Sequence, residues 1–136
     1  MAEYVANTPQ VVAAGQAVIL QTTTVPGNCD IRHRDGTARI DVRGSGCCMW
    51  PNVYRVAAHV VVTATATVAD TPVQLALAVD GTVLPETTIA LVPAAAGDIL
   101  SGSTEKLIVV DGGSASISLV AITEAPITSA VVIVTE

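Results

Sequence analysis

The stretch Tyr54-Arg55-Val56-Ala57-Ala58-His59-Val60-Val61-Val62-Thr63-Ala64-Thr65-Ala66-Thr67-Val68 alternates along its whole length. Its even positions, from Tyr54 through Val60 to Val68, are all apolar. Its odd positions read Arg55, Ala57, His59, Val61, Thr63, Thr65, Thr67. A period of two sends successive side chains to opposite faces of a strand, so this run predicts a β-strand with one buried face and one mixed face. Two neighbours repeat the pattern. Thr37 to Arg43 sets Ala38, Ile40 and Val42 against Arg39, Asp41 and Arg43, and Val73 to Val79 sets Val73, Leu75, Leu77 and Val79 against Gln74, Ala76 and Ala78.

The rest of the chain agrees with a β reading. Among 136 residues there are 22 Val, 10 Ile and 16 Thr against 8 Leu. β-branched side chains are stiff at χ1 and suit a pleated surface, whereas the strong helix formers Lys, Glu and Leu are scarce. Asp-Gly recurs at Asp35-Gly36, Asp80-Gly81 and Asp111-Gly112, each between apolar runs. Both residue types accept the positive φ of tight turns, which predicts three hairpins. Further breaks fall at Val25 to Asn28, Gly44 to Gly46, Asp70 to Pro72, Pro93 to Gly97, Ser101 to Ser103 and Ala125-Pro126, with no tandem period and no long linker. One all-β domain over residues 1–136 is expected.

Three runs depart from alternation: Val18 to Leu20, Leu107 to Val110 and Val131 to Val134 are apolar on both faces. A two-sheet sandwich buries only the inner face of each sheet. A strand apolar on both sides needs a second cover, and with no helix in prospect another copy of the chain supplies it most simply.

Charge and length exclude several classes. No window of about 18 residues is free of Thr, Asp, Gly or Pro, so no membrane-spanning helix is expected. The first residues carry no basic segment followed by an apolar core, which predicts synthesis in a cytoplasm without a secretory signal. The net charge is −6. Residues 30 to 55 hold Arg32, Arg34, Arg39, Arg43 and Arg55 against Asp30, Asp35 and Asp41; elsewhere only Lys106 faces nine acids. That balance speaks against general nucleic-acid binding, and basic residues interleaved with Asp read as a salt-bridged strand face.

The order of segments resembles a known family. Pro51-Asn52-Val53-Tyr54-Arg55-Val56-Ala57-Ala58-His59-Val60 is similar to the tyrosine strand of the jelly rolls shared by complement-type and tumour-necrosis-factor-type domains. The run Val73 to Thr82 resembles the hairpin that follows it, and Ser129 to Val134 the closing interface strand. The whole chain resembles more closely a subgroup encoded by bacteriophages and prophages of Firmicutes. The residues that carry this likeness are Tyr4 to Asn7, Val11 to Gln16, Cys29-x-Ile31-x-His33-Arg34 and the Gly-Cys stretch before the tyrosine strand. The resemblance implies a Greek-key jelly-roll sandwich of two antiparallel sheets that closes into a homotrimer. The expected interface residues are Val18, Leu20, Tyr54, Val109, Val131 and Ile133. It implies a structural part of a virion, such as a capsid decoration or head-fibre protein bound to the major capsid protein or another virion component. A fibre-tip module that binds a host-surface receptor or glycan, or a spore- or cell-surface recognition module, is the alternative.

Candidate chemistry is sparse. Cys29, Cys47 and Cys48 lie in the segment that holds the Arg cluster. A bridge from Cys29 to Cys47 or Cys48 would staple a loop of about 18 residues and contribute roughly 3 kcal/mol in the chain-entropy model; three buried, reduced thiols are the other reading. Adding His33 makes four potential zinc ligands, but adjacent cysteines fit one tetrahedral site poorly and no C-x₂₋₄-C pair exists, so no metal or other cofactor is expected. No G-x-S-x-G elbow is present. His33 and His59 have no evident nucleophile beside them, and the acids are isolated in turns, so no enzyme is expected. Sugar stacking needs exposed aromatics, and of Tyr4, Trp50 and Tyr54 only Trp50, between Met49 and Pro51, suits a surface-contact loop.

Overall fold

The computed structural model describes residues 1–44, 52–66 and 71–136. Its strands are β1 (Ala2–Ala6), β2 (Gln10–Val12), β3 (Thr22–Val25), β4 (Ile31–His33), β5 (Ile40–Arg43), β6 (Asn52–Thr63), β7 (Val73–Val79), β8 (Thr82–Val83), β9 (Ile89–Leu91), β10 (Ile99–Val110), β11 (Ser114–Ala121) and β12 (Ala125–Thr135). Among the described residues a single 3₁₀ turn, Pro85–Thr87, precedes β9. The first sheet runs β10-β6-β12-β1-β3, with β2 also on β12. The second runs β4-β5-β11-β7-β8, with β9 also on β7. All pairings are antiparallel. From β5 to β7 and from β9 to β12 the chain changes sheet at every step, which is the jelly-roll path. No helix among the described residues is long and apolar enough to cross a membrane.

The alternating run behaves as its period demands. Tyr54, Val56, Ala58, Val60 and Val62 are buried between the sheets, and Arg55 and His59 are exposed. The strand begins at Asn52 and ends at Thr63 because Ala64 turns to another partner: its N–H donates to the Asp98 carbonyl at 2.8 Å and its carbonyl accepts from Gly97 at 2.8 Å. Thr67 and Val68, the end of the expected run, lie outside the described residues. In β5, Ile40 and Val42 point inward as expected. In β7, Val73, Leu75 and Leu77 do the same, but Ala76 and Ala78 are also fully buried. This strand is flanked by β11 on one side and by β8 and β9 on the other, and small side chains in the middle of a sheet are covered by their neighbours.

The turns divide into two kinds. Asp35-Gly36 joins β4 to its partner β5, with Gly36 at φ 85°. Asp80 and Gly81, at φ 51° and 82°, form a two-residue connection between β7 and β8, where both central residues need positive φ. Asp111-Gly112 is not the expected hairpin. Gly112 and Gly113, at φ 75° and 64°, carry the chain from β10 in the first sheet to β11 in the second. The backbone of Gly44 comes so close here that a Cβ on it would lie 2.6 Å from the Gly112 nitrogen.

The core is aliphatic, with Tyr4 and Tyr54 as its largest side chains. Tyr54 donates its hydroxyl hydrogen bond to the Arg43 carbonyl, which also accepts from Asn52 Nδ2 at 3.1 Å. Burial pushes the Tyr54 phenol up, and burial together with the charge of Asp35 does the same for Tyr4. Thr87, the one buried polar residue among those described, accepts from the Leu77 N–H at 2.9 Å and donates to the Leu84 carbonyl at 2.7 Å. Its hydroxyl is thereby satisfied on both counts.

Candidate functional site

The register of β10, β6, β12 and β1 defines what lies on the outer face of the first sheet. Cross-strand rows read Val109–Val53, Leu107–Arg55–Thr135, Glu105–Ala57–Ile133–Glu3, Ser103–His59–Val131–Val5 and Ser101–Val61–Ser129. Ile99 and Thr63 close the far end. Leu107, Val109 and Ile99 are 61%, 60% and 71% exposed, and Val53 is 44% exposed. Val5, Val61, Val131 and Ile133 are half-buried by one another. The face thus carries an apolar field interrupted by serine and threonine side chains, by Glu3, by the Arg55–Glu105 pair and by the His59 imidazole.

Within that field Arg55 meets Glu105 at 2.8 Å, and the guanidinium holds the Glu105 carboxyl below its usual range. Both are exposed, so the pair contributes little to folding. Ala57 and Ser103 are short, and together with His59, Glu105, Val131 and Ile133 they line a shallow depression of about 380 Å³. The His59 ring makes no hydrogen bond among the described residues.

The expected interface residues divide sharply. Val109, Val131 and Ile133 lie together on this outer face. Val18, Leu20 and Tyr54 do not. They are buried in the protomer's own core, at 0%, 1% and 0% exposure, and no second copy can reach them. Val18 to Leu20 is not a strand at all. It is a connector held by bridges from Ala17 to Val120 and from Leu20 to Thr37, in which Val18 and Leu20 are covered and Ile19 is 44% exposed. Val53 and Ile99 belong to the outer field although the sequence reading did not assign them to it, and Leu107, in a run read as apolar on both faces, lies there too. Ile99 and Leu107 share odd parity with Val109 along one continuous β10, a signal masked by treating Ser101 to Ser103 as a break.

Cys29 is exposed in the loop before β4. Cys47, Cys48 and Trp50 lie outside the described residues, and with them the disulfide pairing and the surface-contact loop. Among the described residues no three His, Cys, Asp or Glu side chains gather as metal ligands. The Arg cluster is partly paired: Arg39 meets Asp41 at 2.6 Å, and Arg32 stands opposite Asp41 across the β4–β5 pair.

No family model and no curated protein matches the chain. Solved structures share its shape. The globular domain of zebrafish complement 1qA protein is 15% identical, with 98% of this chain and 94% of that one covered at a TM-score of 0.62. A family 35 carbohydrate binding module from an environmental isolate is 15% identical, with coverage of 100% and 93% at a TM-score of 0.45. A beta-glucosidase from Paenibacillus barengoltzii is 17% identical over 70% of this chain and 10% of its own, at a TM-score of 0.38. The topology and the first of these similarities show a jelly roll of the complement 1q and tumour-necrosis-factor type.

Proposed function

We propose that this chain is a self-assembling, non-enzymatic structural domain: a homotrimeric jelly roll that decorates or projects from a bacteriophage capsid. The observation that supports self-assembly is the apolar outer face of β10, β6 and β12. At about 3.3 Å per residue and about 4.8 Å between strands, β10, β6 and β12, of 12, 12 and 11 residues, span a plane on the order of 550 Å². A stable interface buries roughly 800 Å² of accessible surface per partner, so this plane supplies most of one and its rim the rest. Removing Leu107, Val109, Ile99 and Val53 from water together is favourable at about 25 cal/mol per Å² of apolar surface, and the one charge pair on the face is already internally matched. The threefold stoichiometry and the virion setting rest on the resemblance of the tyrosine strand and the opening segments to phage-encoded members of that fold.

Cryo-electron microscopy of intact particles carrying the protein tests the setting. Trimers placed regularly on the capsid lattice are the expected result. Density only at a fibre or tail tip would replace decoration with receptor or glycan binding, and no density on particles would overturn the virion reading.

A further inference from the structure

Asp35-Gly36, Asp80-Gly81 and Asp111-Gly112 are all exposed. An aspartate followed by glycine can close on itself, because glycine has no Cβ to obstruct the approach of its nitrogen to the preceding side chain. The glycine nitrogen bonds to the aspartate Cγ and loses its proton, a Cγ–O bond breaks, and water leaves, which gives a five-membered succinimide ring. Water then adds to one of the two ring carbonyls and opens the ring. One opening restores aspartate. The other leaves the main chain running through Cβ and Cγ, one atom longer than before, as isoaspartate. Ring closure needs a carboxyl group free to turn and a peptide nitrogen free of its acceptor.

Hydrogen bonding, not exposure, separates the three pairs. At Asp35-Gly36 both groups are held: Asp35 Oδ1 accepts from Thr23 Oγ1 at 2.6 Å, and the Gly36 N–H donates to the Leu20 carbonyl at 2.9 Å. At Asp80-Gly81 the carboxylate is held, because Asp80 Oδ1 accepts from the Ser116 N–H at 2.9 Å and from the Ser116 hydroxyl at 3.3 Å. The Asp80 N–H also donates to the Ser116 carbonyl at 2.8 Å. At Asp111-Gly112 no hydrogen bond or ion pair among the described residues holds either the carboxylate or the Gly112 N–H. The restraint lies one residue further on, where the Gly44 N–H donates to the Gly113 carbonyl at 2.8 Å. This pair sits just past Val109–Val53, the last row of the outer face, where the chain leaves β10 for β11 in the other sheet.

We propose that Asp111 is a self-modification site: in the folded chain it converts to isoaspartate while Asp35 and Asp80 are protected by the bonds that hold them. The only co-reactant is water, which leaves in the first step and returns in the second. The added main-chain atom lengthens a crossover whose spacing is set by the close approach of Gly44 to Gly112, and the Gly44–Gly113 hydrogen bond is lost with it. The modification belongs to one protomer and does not depend on self-assembly.

The full native chain is aged at neutral pH, below its melting temperature, digested, and read by mass spectrometry with electron-based fragmentation, which distinguishes aspartate from isoaspartate. The expected result is isoaspartate at Asp111 forming about ten-fold faster than at Asp35 or Asp80, the factor that one or two ordinary hydrogen bonds supply. Ageing in denaturant removes those bonds and should bring the three rates together. Equal rates in the native chain, a faster rate at Asp35 or Asp80, or a preference for Asp111 that persists unchanged in denaturant overturns the proposal. Thermal melts supply a second readout. The aged native chain should lose on the order of 3 °C in Tm, the scale of one lost hydrogen bond, whereas Asp111→Glu, whose longer side chain closes a ring poorly, should not. An equal loss in both chains overturns the proposed loosening of the crossover.

Discussion

The outer faces of the two sheets meet the same solvent and are built from opposite materials. On the first sheet the strands present Val53, Ile99, Leu107 and Val109 as exposed large apolar side chains. None of the exposed large apolar residues lies in a strand of the second sheet, whose β11 shows Ser114, Ser116 and Ser118 instead. The second face also ties its polar groups down, as where Asp80 accepts from the backbone of Ser116 at 2.9 Å. Two sheets of one sandwich share a core, so folding alone does not explain the asymmetry. In the proposed assembly one face is finished as a surface and the other is half of an interface.

The largest effect separates the two sides of a single strand. Tyr54→Ala empties the core side of β6 and should cost about 3–5 kcal/mol of unfolding free energy, measured by denaturant titration. A cost below about 1 kcal/mol would contradict the placement of Tyr54 in the core. Next comes the contrast between faces. Leu107→Asp puts a charge into the apolar field and should raise the dissociation constant of the assembly by about 30- to 1,000-fold in sedimentation equilibrium, the range of a buried hot spot. Ser114→Asp on the other sheet should leave it unchanged, and equal effects of the two would erase the distinction between faces. Gly102→Val is smaller. Gly102 lies in β10 where a Cβ would meet Ile89 Cγ2 at 2.5 Å, and overpacking of this kind costs about 1–3 kcal/mol. Thermal melts should show it.

The smallest effect concerns Glu105. Arg55 lowers its carboxyl titration, so its contribution is present above the usual carboxylate range near 4.5 and disappears as pH falls through the lowered value. Glu105→Gln should leave the melting of a monomeric Leu107→Asp background nearly untouched. In the assembled chain it should weaken association above pH 5, where the unpaired Arg55 would be covered. An effect on the monomer equal to that on the assembly would place the pair outside the contact.

The sandwich was legible from the sequence because period-two patterning depends only on which face is buried. Tyr54 to Thr63 and Ile40 to Val42 show it directly. What failed to show was connectivity. Asp111-Gly112 has the residues of a hairpin, yet positive φ at a turn says nothing about whether the next strand returns to the same sheet. Ser101-Gly102-Ser103 has the composition of a loop, yet Gly102 lies within a 12-residue strand because Ile89 from the other sheet takes the space of its side chain. Reading that break as a turn hid Ile99 from the outer face. Val18 to Leu20 misled for a related reason: an apolar run with both sides covered looks the same whether its cover is a second molecule or the chain's own sandwich.

The mass of the native chain in solution at micromolar concentration, by light scattering on a size-exclusion column, tests the central claim most directly. The account predicts a species of three times 13.8 kDa that Leu107→Asp converts to a folded 13.8 kDa monomer. A native chain that elutes as a stable 13.8 kDa monomer would contradict it.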